Sequence, residues 1–560
     1  MRHRFINLPG PRGRPEPVMP VSSTSDAQII VVGSGMNSLV CAALLAQRGK
    51  SVLVLERNDR LGGCIRTEEL FPGYRHDVLS SWYPLFVGSP AYAALKPALQ
   101  TAGLEFAQCD YSTGLVLPDG SGIALRQDIA DSARRLDAWA PGDGQAFGAM
   151  AQRLFGEDAA LTFGLLGQNP YGAGMLKLLF GEWRRRGLDG LMAFAADSLE
   201  SFRRWSDREL QSDAVRALVA PWVLHTGLGP DDACSALIGK LTFAAVVAGG
   251  MPVVKGGSQG VVDALAKVIE HHGGRLLTGN AVERILTRGA GRRRRAVGVV
   301  AAGREYHATE AVVCNVTPGQ LYGTLLPDAP EPVRRRAAGY RHGRGGMQIH
   351  FALDAPPDWR TPELRQVPLV HLTESMEQVC ASVTEANNGL LPARPTLAIG
   401  QPVAVDPSRA PAGGWILWVQ MQELPARVKG DAAGLIDTPA DGRWTEALRE
   451  AVADRVQARL EPVMPGLAQR IVGRRSYSPA DLEALNCNLV GGDPYAGVCS
   501  PDQFFWLRPF AGSQGARGHR TPLRNLFHIG AATHPGPGLG GGSGYLVAQH
   551  LAPRGGRSGT

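Results

Sequence analysis

The stretch Gln28-Ile-Ile-Val-Val-Gly-Ser-Gly-Met-Asn-Ser38 constrains this chain more than any other. An apolar strand runs into Gly33-Ser-Gly-Met-Asn-Ser38, and an apolar, helix-like run continues from Leu39 to Arg48. Gly49 and Lys50 turn the chain into a second apolar strand, Ser51 to Leu55, which ends at Glu56. Strand, glycine turn, helix, strand and acid in this order make a β-α-β unit that opens a dinucleotide site. Gly33 permits the tight turn off the strand, and Gly35 lets the backbone approach a pyrophosphate. The helix N-terminus offers unpaired N–H groups and the positive end of its dipole to that anion. Glu56 lies 23 positions after Gly33, where a carboxylate accepts hydrogen bonds from a ribose diol. Ser38 stands in place of the third glycine of the pattern and is still small enough for close helix–strand packing. Glycine is abundant, 70 of 560 residues, so the flanking strands and the acid carry the reading, not the glycines alone.

The length suits more than one domain, roughly three at about 150 residues each. Apolar residues make up 44% and charged residues 19%, which fits a large folded core rather than disorder. The net charge is +7. Part of that excess sits in the first 14 residues and part in Arg292-Arg-Arg-Arg295, with no basic stripe interleaved with aromatics, so nucleic acid is not an expected partner. The eight cysteines are scattered and none forms a CxxC pair. Neither a metal site nor a disulfide framework is therefore expected, and a reducing, cytoplasmic setting is. No apolar run is long enough to span a bilayer. The first 26 residues are basic and proline-containing without an apolar core, so they read as a disordered arm rather than a secretory signal. Met19 is a second candidate start.

Further along, Gly62-Gly63 suits a loop packed against a ligand, and Phe71 to Pro84 reads as a hairpin leading to an aromatic, hydroxyl-rich loop. Residues 130–250 carry helical periodicity. Within them, Leu176 to Arg186 is apolar with a basic end. A core helix with solvated arginines is the favoured reading of this segment, and docking on a membrane surface is the other. Pro252 to Ala266 returns to a glycine loop followed by a helix, and the tetra-arginine falls between two strands as a hairpin tip. Residues 336–480 mix strand and helix. Near the end, the strand Asn525 to Ile529 enters the glycine-dense loop Gly530 to Gly544 and then a helix, a second anion- and ring-binding corner.

The run Val32 to Ala43, then Glu56, then Leu61-Gly-Gly63, resembles the FAD-binding amino terminus of the phytoene desaturase and amine oxidase superfamily. Asn37 and the Ser80-Ser81-Trp82 loop look most like its phytoene-dehydrogenase-like branch, and the likeness continues through Ala311 to Pro318 and Asp502 to Pro509 to about residue 552. Trp415 stands where that branch usually has a histidine. The resemblance implies an α/β protein: a Rossmann-type FAD-binding domain with an inserted α+β substrate domain of mixed sheet and helical cap. The FAD domain would comprise residues 27–110, 250–335 and 480–552. The cap and substrate domain would comprise 111–249 and 336–479, and residues 553–560 a flexible tail. It further implies that FAD lies along Gly33, Gly35, Met36, Asn37, Ser38, Glu56, Arg57, Gly62 and Gly63. The backbone of Val282 would meet the adenine, and Gly530, His534, Gly538 and Gly540 would belong to the loop closing over the flavin.

No nucleophile–base constellation or paired-carboxylate signature stands out. The expected activity is an FAD-dependent dehydrogenase or desaturase that takes hydride from a C–H bond of a hydrophobic small molecule, with O2 or a quinone among candidate acceptors. An amine or alcohol oxidase using O2, and a flavin-binding interaction protein with little catalysis, are the alternatives. His225 and His534 are the candidate catalytic residues, with Arg508 beside them on the cofactor side. For His225, a packed helix-end histidine is the competing reading. Residue spacing leaves the oligomeric state open.

Overall fold

The structure is a computed structural model and describes residues 26–510 and 516–553. The expected arm and tail, Asp26 and Pro553 excepted, lie outside it. The opening unit forms as read: strand β1 (Ala27–Val32), helix α1 (Met36–Gln47) and strand β2 (Val52–Leu55). Successive residues of β1 enter different cores. Ile29 and Val31 pack with α1, and Ile30 and Val32 with the opposite layer. A strand apolar on both faces belongs inside a parallel sheet covered twice. Helix α1 is buried from Met36 to Ala46, which its run of apolar and small residues permits.

The chain then leaves this layer. A hairpin of β3 (Tyr111–Val116) and β4 (Gly122–Arg126) begins a second sheet, and the segment 129–249 is helical, including α2 (Ala173–Leu199). It returns through α3 (Gln259–His271), β5 (Arg275–Leu277), β6 (Val282–Arg288), β7 (Arg295–Ala301) and β8 (Arg304–Cys314). It leaves again through β9 (Gly345–Leu353), β10 (Leu369–Leu372), β11 (Leu397–Gly400), β12 (Trp415–Leu424), α4 (Glu446–Leu460) and β13 (Ile471–Tyr477). The last visit adds β14 (Leu526–His528) and α5 (Gly542–Leu551).

The first sheet has seven strands. Five are parallel in the order β14-β8-β1-β2-β5, and β6 and β7 extend it as an antiparallel meander on the front half of β8. The four arginines close the β6–β7 hairpin, where Arg294 is held by Asp328. The second sheet also has seven strands, in the order β13-β9-β12-β11-β10-β3-β4. Its two faces differ. Met347, Ile349, Phe351, Leu417, Val419 and Met421 pack on Leu448, Val452, Val456 and Leu460 of α4. The other face turns toward the first sheet and the helical cap.

A buried ion cluster ties these parts together. Arg409 is fully buried; its Nη1 donates to Asp77 at 2.5 Å, its Nε to Asp406 at 3.2 Å and its Nη2 to the Val254 carbonyl at 2.7 Å. The carboxylates in turn accept backbone N–H groups of the glycine loop before α3: Gly256 to Asp406 at 2.6 Å and Ser258 to Asp77 at 2.8 Å. The loop is thus pinned to the second sheet by charge.

The reading of Leu176 to Arg186 as a core helix is corrected here. The residues of α2 that face inward are Met175, Glu182 and Phe194, and Leu176, Phe180 and Trp183 are exposed. The inner seam of this stretch is an ion cluster, in which Arg185 and Arg186 bind Glu182 and Arg186 also binds Asp158, so its apolar residues are turned outward. The helix is broken at Gly187, where φ is 70°.

Candidate functional site

A cavity of about 470 Å³ runs from the turn after β1 to the inner face of the second sheet. At its first end Gly33, with φ of 86°, turns the chain off β1. Gly35 precedes α1 with no side chain capping it and no acid in the first turn, so the helix N-terminus keeps free donors. A Cβ on Gly63 would fall 3.1 Å from the Gly35 Cα, so two backbones meet here without side chains between them. Glu56 is buried at the end of β2. Its Oε2 accepts from the Ser34 backbone N at 2.9 Å and the Ser34 hydroxyl at 2.6 Å, and its Oε1 from the Asn58 N at 2.9 Å. The Ser34 Oγ accepts in turn from the Gly62 N at 3.0 Å. One hydroxyl therefore links the glycine turn, the ribose-side acid and the second glycine loop.

The loop before α5 closes against the same corner. Asn315, at the end of β8, donates from Nδ2 to the Ser38 hydroxyl at 3.0 Å, which gives the serine in place of the third glycine a structural use. A Cβ on Gly530 would lie 2.1 Å from Asn315 Oδ1, and one on Gly544 would lie 1.9 Å from the Asn37 carbonyl oxygen. Helices α1 and α5 touch backbone to backbone there, and the Gly544 N donates to Asn37 Oδ1 at 3.3 Å. Helix α5 also starts without a side-chain cap or an acid in its first turn.

The other end of the cavity is polar. Register places Gln348 beside Gln420, Gln420 beside Ala398, and Ala398 beside His371, so one row of side chains crosses β9, β12, β11 and β10 on the inner face. Gln348 and Gln420 line the cavity, with Tyr495 beside them. Behind this row Gln422 Nε2 donates to His225 Nδ1 at 3.0 Å and contacts the Tyr495 hydroxyl at 3.2 Å, and the Tyr495 hydroxyl donates to the Leu224 carbonyl at 2.6 Å. His225 Nε2 lies 2.9 Å from His371 Nε2. Gln422 Nε2 also lies 3.3 Å from Gln420 Oε1, and the two imidazoles meet Nε2 to Nε2, so one ring donates and the other accepts. Both rings are neutral: burial pulls His225 down to about 4, and burial with the neighbouring ring pulls His371 well below the usual range. Among the described residues His371 Nδ1 is buried without a hydrogen-bond partner, as is Gln348 Oε1.

Arg508 frames this end. It is buried and donates to backbone oxygens, among them Ala531 at 2.7 Å from Nε and Tyr495 at 2.7 Å from Nη2, both residues of the cavity wall, and from Nη1 to Cys499 Sγ at 3.9 Å. A smaller cavity of about 250 Å³ lies inside the cap near Arg153 and Asp158, away from the glycine loops, and those charges are already paired with one another.

Of the residues expected from sequence, Gly33, Gly35, Met36, Asn37, Glu56, Arg57, Gly62, Gly63, Val282 and Gly538 line the large cavity together. Ser38, Gly530 and Gly540 lie behind the lining: Ser38 under Asn315, Gly530 with its N–H on the Ser543 hydroxyl, and Gly540 against Leu85. His534 is buried outside the lining, with Nε2 at 2.8 Å from the Gln168 carbonyl, and burial holds it down at about 4. His225 sits one hydrogen bond behind the polar row. Sequence reasoning passed over Ser34, Asn315, Gln348, Gln420, Gln422 and Tyr495. For the glutamines the signal was present: Gln348 and His350 alternate with Met347, Ile349 and Phe351, and Gln420 and Gln422 with Val419 and Met421.

A parallel nucleotide-binding sheet whose cavity opens onto the polar face of a second sheet defines an oxidoreductase with a dinucleotide cofactor. The chain belongs to the family of flavin-containing amine oxidoreductases, whose model matches residues 39–420, and its cofactor is FAD. It is 26% identical to pyridine nucleotide-disulfide oxidoreductase domain-containing protein 2 of Rattus norvegicus, over 93% of this chain and 92% of that protein. It is 28% identical to a zeta-carotene-forming phytoene desaturase of Myxococcus xanthus, over 92% of each. Among solved structures, an oxidoreductase from Methanosarcina mazei superposes with a TM-score of 0.59 at 16% identity, over 93% of this chain and 99% of that one. Cyclohexylamine oxidase from Brevibacterium oxydans superposes with a TM-score of 0.56 at 16% identity, over 94% and 99%. The fold is that of the flavin amine oxidases. Among the described residues no helix is long and apolar enough to cross a membrane.

Proposed function

We propose that this chain is an FAD-dependent dehydrogenase that removes a hydride equivalent from a C–H bond of a hydrophobic small molecule. The observation that supports this most is the continuity of one cavity from the glycine turns and Glu56 to Gln348, Gln420 and Tyr495. The donor set suits FAD: two uncapped helix N-termini, paired side-chain-free backbones and a buried carboxylate. When bound, the flavin supplies a two-electron acceptor. The remaining work falls to the chain. Glu56, fixed by Ser34, would hold a ribose diol with its remaining lone pairs, and the N-terminus of α1 would hold the pyrophosphate. Gln348, Gln420 and Tyr495 orient what lies at the inner end, and the cap keeps water from it.

One observation favours a second reading within the same class. A pure hydrocarbon against the polar row would leave Gln348 Oε1 and its neighbours desolvated and unpaired, at about 1–3 kcal/mol per group. An alcohol or amine, whose O–H or N–H lies next to the reacting C–H, would pair with them. Candidate substrates mixed anaerobically with the purified flavoprotein test both readings. Bleaching of the flavin by a polyene supports the first, and bleaching by hydroxylated or amine compounds, with peroxide on admitting air, supports the second. A flavin that dithionite bleaches and no member of the panel does would instead leave a binding protein with little catalysis.

A further inference from the structure

The outward face of the cap is the least explained surface of the molecule. Leu176 is 71% exposed, Phe180 57%, Trp183 48%, Leu188 60% and Met192 57%. Leu176, Phe180 and Trp183 recur at helical spacing, so they form one stripe along the first half of α2. The Phe180 and Trp183 rings lie 5.6 Å apart, and after the break at Gly187 the stripe continues on the second half. Tyr171 extends it: 46% exposed, it donates to the Trp506 carbonyl at 2.5 Å and has Arg517 over its ring. Water-facing helices of folded proteins carry the opposite pattern, polar out and apolar in, and contiguous apolar patches mark contact surfaces.

We propose that this face docks on a lipid bilayer with anionic headgroups. The charges decide between occupants. Between Leu176 and Arg185 the exposed charged side chains are Lys177, Arg184 and Arg185, all cationic, and the one acid there, Glu182, is buried under Arg185 and Arg186. Asp189 is the exposed acid of α2 without an ion pair among the described residues, and it lies beyond the break. Two copies of this chain meeting through the stripe would press Lys177 and Arg184 against cations of their own kind, which an interface disfavours. A bilayer admits the apolar side chains below its headgroups and pairs the cations with the headgroups themselves. Trp183, an apolar body with a polar tip, suits that boundary.

The test uses the full-length flavoprotein in flotation with phosphatidylcholine vesicles, with and without phosphatidylglycerol. The native chain is expected to float with the anionic vesicles and at least about tenfold less with the neutral ones. The combined Leu176→Ser, Phe180→Ser and Trp183→Ser variant is expected to stay in solution with its flavin content and melting temperature unchanged. The Lys177→Glu, Arg184→Glu pair keeps the apolar stripe, so it serves if the triple variant misfolds; it is expected to lose the preference for anionic vesicles. A native chain that floats with neither vesicle, or equally with both, overturns the proposal. So does a native dimer in sedimentation that the triple variant splits into monomers, which would assign the face to a second copy.

Discussion

The nucleotide end of the cavity and the outer helix of the cap use the same residue types in opposite ways. At the nucleotide end backbone, one buried carboxylate and a hydroxyl meet the cavity between apolar side chains, such as Met36 and Val282, that continue into the cores. On the first half of α2 Glu182 is turned inward and Leu176, Phe180 and Trp183 face out. The first region fixes a shape to which a ligand must conform, and its tolerance for change is small because backbones touch. The second presents a surface that adapts to what covers it, and its tolerance is large. The contrast teaches where this chain keeps its constraints: in glycine contacts and buried charge at one end, in side-chain character alone at the other.

Substitutions can break that contrast in graded steps. The largest effect is expected from Gly544→Val, because its Cβ would fall 1.9 Å from the Asn37 carbonyl oxygen and neither backbone can move aside; no soluble, flavin-containing protein should be recovered, and absorbance of the purified fraction checks it. Next is Arg409→Met, which leaves Asp77 and Asp406 buried without their cation. Breaking such a cluster costs about 3–5 kcal/mol, measured as a lowered urea midpoint with an unchanged slope.

Acid should act on the interior and spare α2, which contains no histidine. Burial holds His225, His350 and His528 at about 4. The unfolded chain, with histidines near 6.5, binds more protons between pH 6.5 and 4, so stability is full above that window and falls as pH drops through it. His528→Gln should flatten the slope of the unfolding free energy against pH, by at most about 1.4 kcal/mol per unit. A slope unchanged by that substitution would remove His528 from the account. Ser34→Ala takes away one donor to Glu56 and the acceptor of the Gly62 N–H. About 1–3 kcal/mol is expected, read as weaker FAD retention by roughly 5- to 150-fold in dialysis. The smallest effect belongs to the cap: Leu188→Ser with Met192→Ser should change the melting free energy by no more than about 0.5 kcal/mol. A large loss there would show that the outer face is part of the core and collapse the comparison.

Legibility in the sequence follows the same division. The β-α-β unit and the loop before α5 were readable because a close backbone approach admits only glycine, and the need is written at each position. The polar row was not assembled, although its alternation is visible strand by strand, because register joins β9, β10, β11 and β12 only after folding. The His225–His371 contact spans 146 positions and has no local sign. Ser34 reads as a spacer between glycines until Glu56 and Gly62 are placed around it. The orientation of α2 was misjudged because apolar periodicity reports a stripe but not which side the stripe faces. Glu182, an acid set within that run, was the residue that could have reversed the choice.

The order of strands in the first sheet carries a consequence for synthesis. Strand β2 waits for β5, which the ribosome reaches only after all of the segment between Leu55 and Arg275, and β14 is made close to the end of the chain. At about 5–20 residues per second, β1 and β2 emerge tens of seconds before the first of these neighbours exists. Both are apolar on two faces with unpaired edges, the pattern most prone to pair with another nascent chain. For that interval α1, made between them, is the nearest cover available, so the unit that binds the nucleotide also shields its own strands as it is made.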